Sequence, residues 1–352
     1  MALKGFSSNE KDLLYGLVRY PERTDREIAQ LIGMGQSTFT TIKQRLHRRG
    51  YYKKVYVPAF QTLGMELMSL VYVEFNPGLT LEERVDLTKK NIEIFDEIFL
   101  SWGELGRGFS LACTKDYTVF SKINDIRTRL FADLGILGEK LPGTALFPFE
   151  TSTIHRFFDF EPLLRKSFGF EPPAWGTTDA KFFSHRDLTP LSKTEAQVLY
   201  QMVKQPEQNN NRLANETGLS RHTIAQVRFK IMERGLLRPL IVPNLHLLDF
   251  EILSLYTARI DPSAPSDRAE FGSGSINSES VIFNAVKPYQ VAILSVYKNY
   301  DDFKREKGER INALKRYNYS AQMPINSLFS ITSSIFIKNM EFAPMLKTYL
   351  GF

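Results

Sequence analysis

Apolar residues in the first part of the chain recur at the spacing of α-helices. This spacing predicts helices over 8–20, near 25–32 and over about 36–49, with a tight glycine-containing turn at 33–35. The following residues, 51–58, alternate like a short strand or wing. The inward-facing positions of the three helices are Leu13, Leu14, Leu17, Val18, Ile28, Ala29, Ile32, Phe39, Ile42 and Leu46. This order of elements is typical of a winged helix-turn-helix module.

The same pattern occurs twice in the chain. Residues 8–77 align with 193–262 at a constant offset of 185, without a gap, and 18 of the 70 aligned positions are identical. Weaker matches continue toward the end of each copy. The 352 residues are therefore predicted to hold two copies of one two-domain unit. The predicted boundaries are 1–58 and 191–243 for the winged helix-turn-helix modules, 59–170 and 244–352 for the domains that follow them, and 171–190 for a Pro- and Gly-rich linker.

The remainder of each copy alternates between strand-like and helix-like segments. The predicted fold class is α+β, with a βαββαβ ferredoxin-like domain after each helix-turn-helix module. In the first copy we predict strands at 68–75, 109–113 and 146–156 and helices at 81–99 and 117–131. In the second copy we predict strands at 253–260, 281–286, 291–297 and 328–337, a helix at 301–316 and a loop-like composition at 263–283. The open face of such a sheet needs a cover, and the sister copy is the natural one.

Charge is distributed unevenly along the chain, whose net charge is +6. The first 58 residues hold 11 basic and 5 acidic side chains, and residues 186–243 hold 9 and 5, whereas the segments between are acidic or near neutral. Two basic modules on one chain favour a polyanionic partner. The one cysteine, Cys113, excludes an intramolecular disulfide. No metal or cofactor is expected, and no apolar run is long enough for a membrane helix, so the sequence predicts a cytoplasmic protein without a membrane partner.

The outer face of the third helix in each module carries the candidate chemistry. Its polar side chains suit hydrogen bonds to base edges and phosphates of double-stranded DNA, and basic residues on the wings suit phosphates. The candidate DNA contacts in the first module are Gln36, Ser37, Thr38, Thr40, Thr41, Lys43, Gln44, Arg48, Lys53 and Lys54. Those in the second module are Arg221, His222, Thr223, Gln226, Arg228, Lys230 and Arg238. Matched positions differ between the modules, so the two helices are not equivalent readers.

The sequence resembles the Lrp/AsnC family of transcription regulators over nearly the whole chain, twice. The stretches that carry the resemblance are REIAQLIGMGQSTFTTIKQRLHRRGYYKKVYVP and NRLANETGLSRHTIAQVRFKIMERGLLRPLIVP. The resemblance implies a sequence-specific DNA-binding regulator that dimerises through its ferredoxin-like domains and responds to a small-molecule effector, here of unknown identity. Because both units are fused, we expect an intramolecular pseudo-dimer, and a further homodimer stays open. The family's glycine-containing turn is kept at 103–108 but is replaced by Lys287-Pro288-Tyr289 in the second copy.

Two other functions compete with regulation. An architectural DNA binder would carry lysine-rich surfaces, whereas the third helices have mixed polar faces. Haem-biosynthesis decarboxylases of the sirohaem type resemble this chain in architecture, but they carry a His-Asn-Tyr type stretch before an apolar strand. The corresponding segments here, 99–102 and 283–286, contain no histidine. We therefore expect a protein that is not an enzyme and keep the decarboxylase as the alternative.

Overall fold

A computed structural model describes residues 6–171, 180–184, 187, 189–262, 278–316 and 324–351. The first half begins with α1 (Ser8–Arg19), α2 (Asp25–Leu31), α3 (Gln36–Arg48) and β1 (Tyr52–Pro58). It continues with β2 (Leu67–Glu74), α4 (Leu81–Ile92), β3 (Ile98–Glu104), β4 (Arg107–Thr114), α5 (Tyr117–Asp133), β5 (Gly143–Pro148), β6 (Thr153–Phe157), α6 (Glu161–Phe168) and α7 (Ala180–Ser184).

The second half repeats this order, without counterparts of α4 and α7 among the described residues. Its helix-turn-helix module consists of α8 (Lys193–Lys204), α9 (Asn210–Thr217), α10 (Arg221–Glu233) and β7 (Leu237–Pro243). The domain that follows consists of β8 (Ile252–Arg259), β9 (Val281–Lys287), β10 (Gln290–Tyr297), α11 (Tyr300–Arg316), β11 (Ile325–Ser330), β12 (Ile335–Asn339) and α12 (Ala343–Leu350). The α+β fold class is confirmed. Residues 263–277 of the predicted loop 263–283 and most of the linker 171–190 lie outside the described residues, whereas 281–283 belong to the strand β9 and not to a loop.

The helices of the modules begin where local sequence favours a start. Capping boxes precede α1, α2 and α8, in which a Ser or Thr side chain accepts from the backbone of a Glu three residues later and the Glu accepts in return. Beyond the modules, α7 places Phe183 in the core, 5 % exposed. No helix within the described residues is both long and apolar enough to cross a bilayer.

The two wings pair with each other. Strands β1 and β7 form an antiparallel ribbon whose register runs from Tyr52 opposite Pro243 to Pro58 opposite Leu237. Each wing therefore has its backbone hydrogen bonds satisfied by the other module. This ribbon fixes the two helix-turn-helix modules side by side within one chain.

The two halves also exchange edge strands. One five-stranded sheet has the order β12-β3-β4-β2-β5, so the first half's sheet ends on a strand from the second half. The other has the order β11-β8-β10-β9-β6, and its last strand comes from the first half. Reciprocal exchange covers one edge of each sheet. It also ties the halves together through backbone hydrogen bonds as well as through side-chain packing.

Three predicted elements have different bounds in the structure. The predicted strands 146–156 and 328–337 each break in two, and the second piece of each crosses to the sister sheet. The predicted helix 81–99 ends at Ile92, and Ile98–Glu104 forms β3 instead. A short buried apolar run such as Ile98-Phe99-Leu100 fits a buried strand as well as a helix, because periodicity alone does not separate them.

Inward faces of the two sheets share one hydrophobic core. Met68 and Leu70 of β2 belong to the same buried cluster as Leu253 and Leu255 of β8, all with no exposed surface. Aromatic rings join the halves at several points, and the ring centroids of Phe99 and Phe342 lie 5.0 Å apart. Each half thus supplies the cover for the open sheet face of the other.

Candidate nucleic-acid interface and interdomain pocket

Helix α3 is anchored by its apolar stripe and leaves its other face in solvent. Phe39, Ile42 and Leu46 are buried against α1 and α2. The hydroxyls of Thr40 and Thr41 donate to backbone carbonyls four residues earlier at 2.9 Å, which still leaves their oxygens free to accept. The exposed predicted residues on this face are Gln36, Ser37, Thr38, Thr40, Thr41, Gln44 and Arg48.

Helix α10 presents the corresponding face of the second module. Ile224 and Ile231 anchor it in the core, and the Ser220 side chain caps its first turn by accepting from the Thr223 N–H. Thr223 is half-buried, and its hydroxyl lies 2.8 Å from that of Ser220. The exposed residues of this face are Arg221, His222, Gln226, Lys230 and Phe229. Phe229 is 68 % exposed and occupies the position of Gln44, a large apolar surface on a polar face.

Three of the residues predicted to contact DNA instead bind side chains of other helices within their own module. Lys43 forms an ion pair with Asp25 at 2.7 Å, and the matched Arg228 donates to Asn210 at 2.8 Å. Lys230 pairs with the buried Glu195 at 2.7 Å. These contacts fix α3 and α10 against the preceding helices, so their first role is to orient the outer faces.

The basic wing residues also have partners inside the molecule. Lys53 Nζ donates to the backbone oxygen of Asn339 at 2.5 Å, and burial lowers the Lys53 pKa to about 8. Lys54 lies over the Tyr56 ring at 5.1 Å. Arg238 lies over the ring of Phe182 at 5.1 Å and donates to the Phe157 backbone oxygen at 3.3 Å.

A pocket of about 460 Å³ opens between the wing ribbon and the swapped strand β12. Its aromatic wall includes Trp102 and Phe336, whose ring centroids lie 4.4 Å apart. Lys53 and the exposed His246 supply the basic nitrogens of its lining. Sequence reasoning missed this pocket, because its lining comes from both copies and forms only when they pack together.

No known protein-family model matches the chain, and a search of curated proteins finds no relative. Among solved structures, that of the siroheme decarboxylase NirDL is similar over 97 % of this chain and 99 % of its own, with a TM-score of 0.53 and 13 % identity. NirDL in complex with an iron-uroporphyrin III analogue gives the same TM-score at 12 % identity. Escherichia coli AsnC matches 40 % of this chain and 91 % of its own at a TM-score of 0.31, which is too partial to support an argument.

The whole-chain similarity corrects one expectation from the sequence. We expected a protein that is not an enzyme, and this expectation is contradicted, because the structures that match the full length are those of a decarboxylase. At 12–13 % identity the similarity establishes the shared fold and no more. The absence of the His-Asn-Tyr stretch is thus an insufficient reason to exclude enzymatic activity.

Proposed function

We propose that the chain is a sequence-specific double-stranded DNA-binding transcription regulator of Lrp/AsnC type. Its two readers, α3 and α10, would act as an intramolecular pseudo-dimer. Modules 1–58 and 191–243 would bind DNA, and domains 59–170 and 244–352, joined by 171–190, would hold them together. The observation that carries the proposal is the pair of exposed polar helix faces, one on each module, each presented by a helix whose other face is locked in the core.

Electrostatics support this assignment. Both modules are basic segments, whereas residues 59–185 are acidic, so a polyanion is attracted toward the modules. Within the described residues, Arg221 and Arg48 are exposed cations on the proposed reading faces. Arginine at such a position can donate two hydrogen bonds to a guanine edge or bind phosphate.

The two faces differ, and this difference sets an expectation for the DNA site. Gln36, Ser37 and Gln44 are replaced by Arg221, His222 and Phe229 at matched positions. Phe229 would contact apolar surface such as a thymine methyl group, whereas Gln44 suits an adenine edge. The preferred site would be an imperfect palindrome with half-sites about one helical turn, or a multiple, apart.

The test is selection of bound duplexes from random sequence, followed by affinity measurements on the selected site and a scrambled one. Replacing Gln36, Ser37 and Gln44 together by alanine should relax base preference at one half-site, since each lost base contact costs roughly 1–3 kcal/mol. Binding to scrambled DNA should stay nearly unchanged. The matched control is alanine at the exposed Lys89 and Lys90 of α4, outside the proposed interface. A triple variant that keeps the full sequence preference would refute the role of α3.

A second candidate function is binding and decarboxylation of a carboxylated tetrapyrrole. The interdomain pocket favours it, because Trp102 and Phe336 offer a stacking surface and Lys53 and His246 offer partners for carboxylates. The full-length similarity to a siroheme decarboxylase supports the same idea.

Titration with iron-uroporphyrin III, followed by its absorption band, tests this candidate. If the pocket binds it, Trp102→Leu should weaken binding roughly tenfold through lost stacking, about 1–1.5 kcal/mol. Phe229→Ala, on the far reading face, is the matched control and should have no effect. Mass spectrometry after incubation with siroheme should show loss of carbon dioxide. No spectral change at protein concentrations in the tens of micromolar would refute this candidate.

A further inference from the structure

A narrow cleft lies between α4, α5 and the first sheet, and it shares Trp102 with the interdomain pocket. Two arginines line it, Arg84 from α4 and Arg127 from α5, and their residues are 1 % and 5 % exposed. Its interior measures about 20 Å³, room for about one water molecule or the end of a small anion. Ile337 of the swapped strand β12 also lines it, so the cleft touches both halves of the chain.

Arg84 is buried without a partner for its charge. Within the described part of the chain, its guanidinium has no ion pair or hydrogen bond and lies over the Phe75 ring at 4.5 Å. Glu104, the carboxylate that favours its charged form, already pairs with Arg107 at 3.4 Å. Two neighbouring donors in the cleft, the Thr88 hydroxyl and the Trp102 indole N–H, also have no hydrogen-bond partner. Unpaired buried donors and charges are costly, so this arrangement needs an acceptor.

Arg127 also has no negatively charged partner among the described residues. It donates to the Ser110 hydroxyl at 2.7 Å and to the Asn124 side chain at 3.3 Å, both neutral groups. Burial lowers the Arg127 pKa to about 10. The cleft therefore holds two buried cations and no carboxylate paired with either among the described residues.

In the second copy, the arginine that corresponds to Arg127 is neutralised by a carboxylate of the same helix. Arg310 stands 183 residues after Arg127 at the matched place on α11 and also donates to a serine of the adjacent strand. There, Glu306, one helical turn earlier, accepts from Arg310 at 2.6 Å and is itself buried. In the first copy the position one turn before Arg127 is Ile123. The second copy thus carries an internal carboxylate where the first has none.

We infer that the first-copy cleft binds the carboxylate group of a small monocarboxylate. The planar fork of an arginine matches the two oxygens of a carboxylate, and the Trp102 and Thr88 donors add hydrogen bonds to the same group. The small interior has room for the carboxylate end of such an anion and excludes a tetrapyrrole. The bound carboxylate would neutralise the buried arginines of the first copy, as Glu306 neutralises Arg310 in the second. It does not rest on DNA binding, and it shares Trp102 with the interdomain pocket.

The experiment measures the thermal unfolding midpoint of the full chain in sodium acetate or propionate against sodium chloride, at pH 7 and constant ionic strength. Ligands that bind only the folded state raise the midpoint in a saturable way, by a few degrees at a concentration about a hundredfold above Kd. We expect this rise with acetate or propionate. The inference is overturned if increasing sodium chloride raises the unfolding midpoint as much as the carboxylates do, or if neither carboxylate raises it.

Variants locate the effect within the cleft. Arg84→Met and Arg127→Met should abolish the acetate-dependent rise, whereas Arg129→Met, on the exposed side of α5, should keep it. Ile123→Glu should raise the midpoint without ligand and abolish the response, because it supplies the carboxylate that the second copy has. The acetate response of Ile123→Glu tests the inference even if an arginine variant fails to fold. A retained acetate response in Ile123→Glu overturns the inference.

Discussion

Replacing Phe157 by alanine should lower the free energy of unfolding by about 3–5 kcal/mol, the cost of deleting a large buried aromatic side chain. Phe157 ends the exchanged strand β6 and has no exposed surface. Its ring contacts aromatic residues from both halves and from α7, with centroid distances of 4.9–6.2 Å to Phe183, Phe99, Phe60 and Phe283. The variant removes a residue that joins the two copies, so it should weaken the whole chain rather than one domain.

Denaturant unfolding, followed by fluorescence and by circular dichroism, measures this effect. The matched control is Phe229→Ala, an equally large change at an exposed position, which should alter stability by less than about 0.5 kcal/mol. Because the sheets share one core, the two probes should report coincident transitions in the unmodified protein. Separate transitions for the two halves would contradict the shared core, and an unchanged midpoint in Phe157→Ala would contradict the packing role of this residue.

The helix-turn-helix modules and the α+β fold class could be predicted because their signals are local. Helical spacing, capping boxes such as that of Thr24 and Glu27, and a glycine turn all lie within a few residues of one another. The strand exchange could not be predicted in the same way. Residues 146–156 have one continuous pattern, and only the three-dimensional partner decides that Thr153–Phe157 leaves the first sheet for the second.

In the candidate site, too, local features could be predicted and contacts between distant segments could not. An outer helix face can be derived from the buried stripe, so the exposure of Gln36, Gln44 and Arg221 was predictable. Which cations were already paired depended on contacts between helices. One signal was present in the repeat itself: Asp25 and Lys43 change together to Asn210 and Arg228 at matched positions. Paired changes of this kind indicate contact, and both pairs are in contact in the structure.

Replacing Glu195 by glutamine should destabilise the second module by up to about 3 kcal/mol at neutral pH, as its pKa shift implies. The buried Glu195 carboxylate accepts from Lys230 at 2.7 Å, from the Ser192 backbone N–H at 2.8 Å and from Arg234 at 3.4 Å. Hydrogen bonds from Lys230 and Ser192 outweigh burial and lower its pKa to about 2. Glutamine removes the charge but keeps a similar shape, so the loss reports the ion pairs.

The same shift fixes how this loss depends on pH. A carboxylate whose pKa is lower in the folded state than in the unfolded state stabilises the fold above the unfolded pKa, about 4.3, and loses that effect as pH falls toward 2. Denaturant unfolding of the two proteins should therefore differ most above pH 5 and converge near pH 2. Glu233→Gln, an exposed position on α10, is the matched control and should show little difference at any pH. A Glu195→Gln deficit that stays constant from pH 7 to pH 2 would show that shape, not charge, explains the loss.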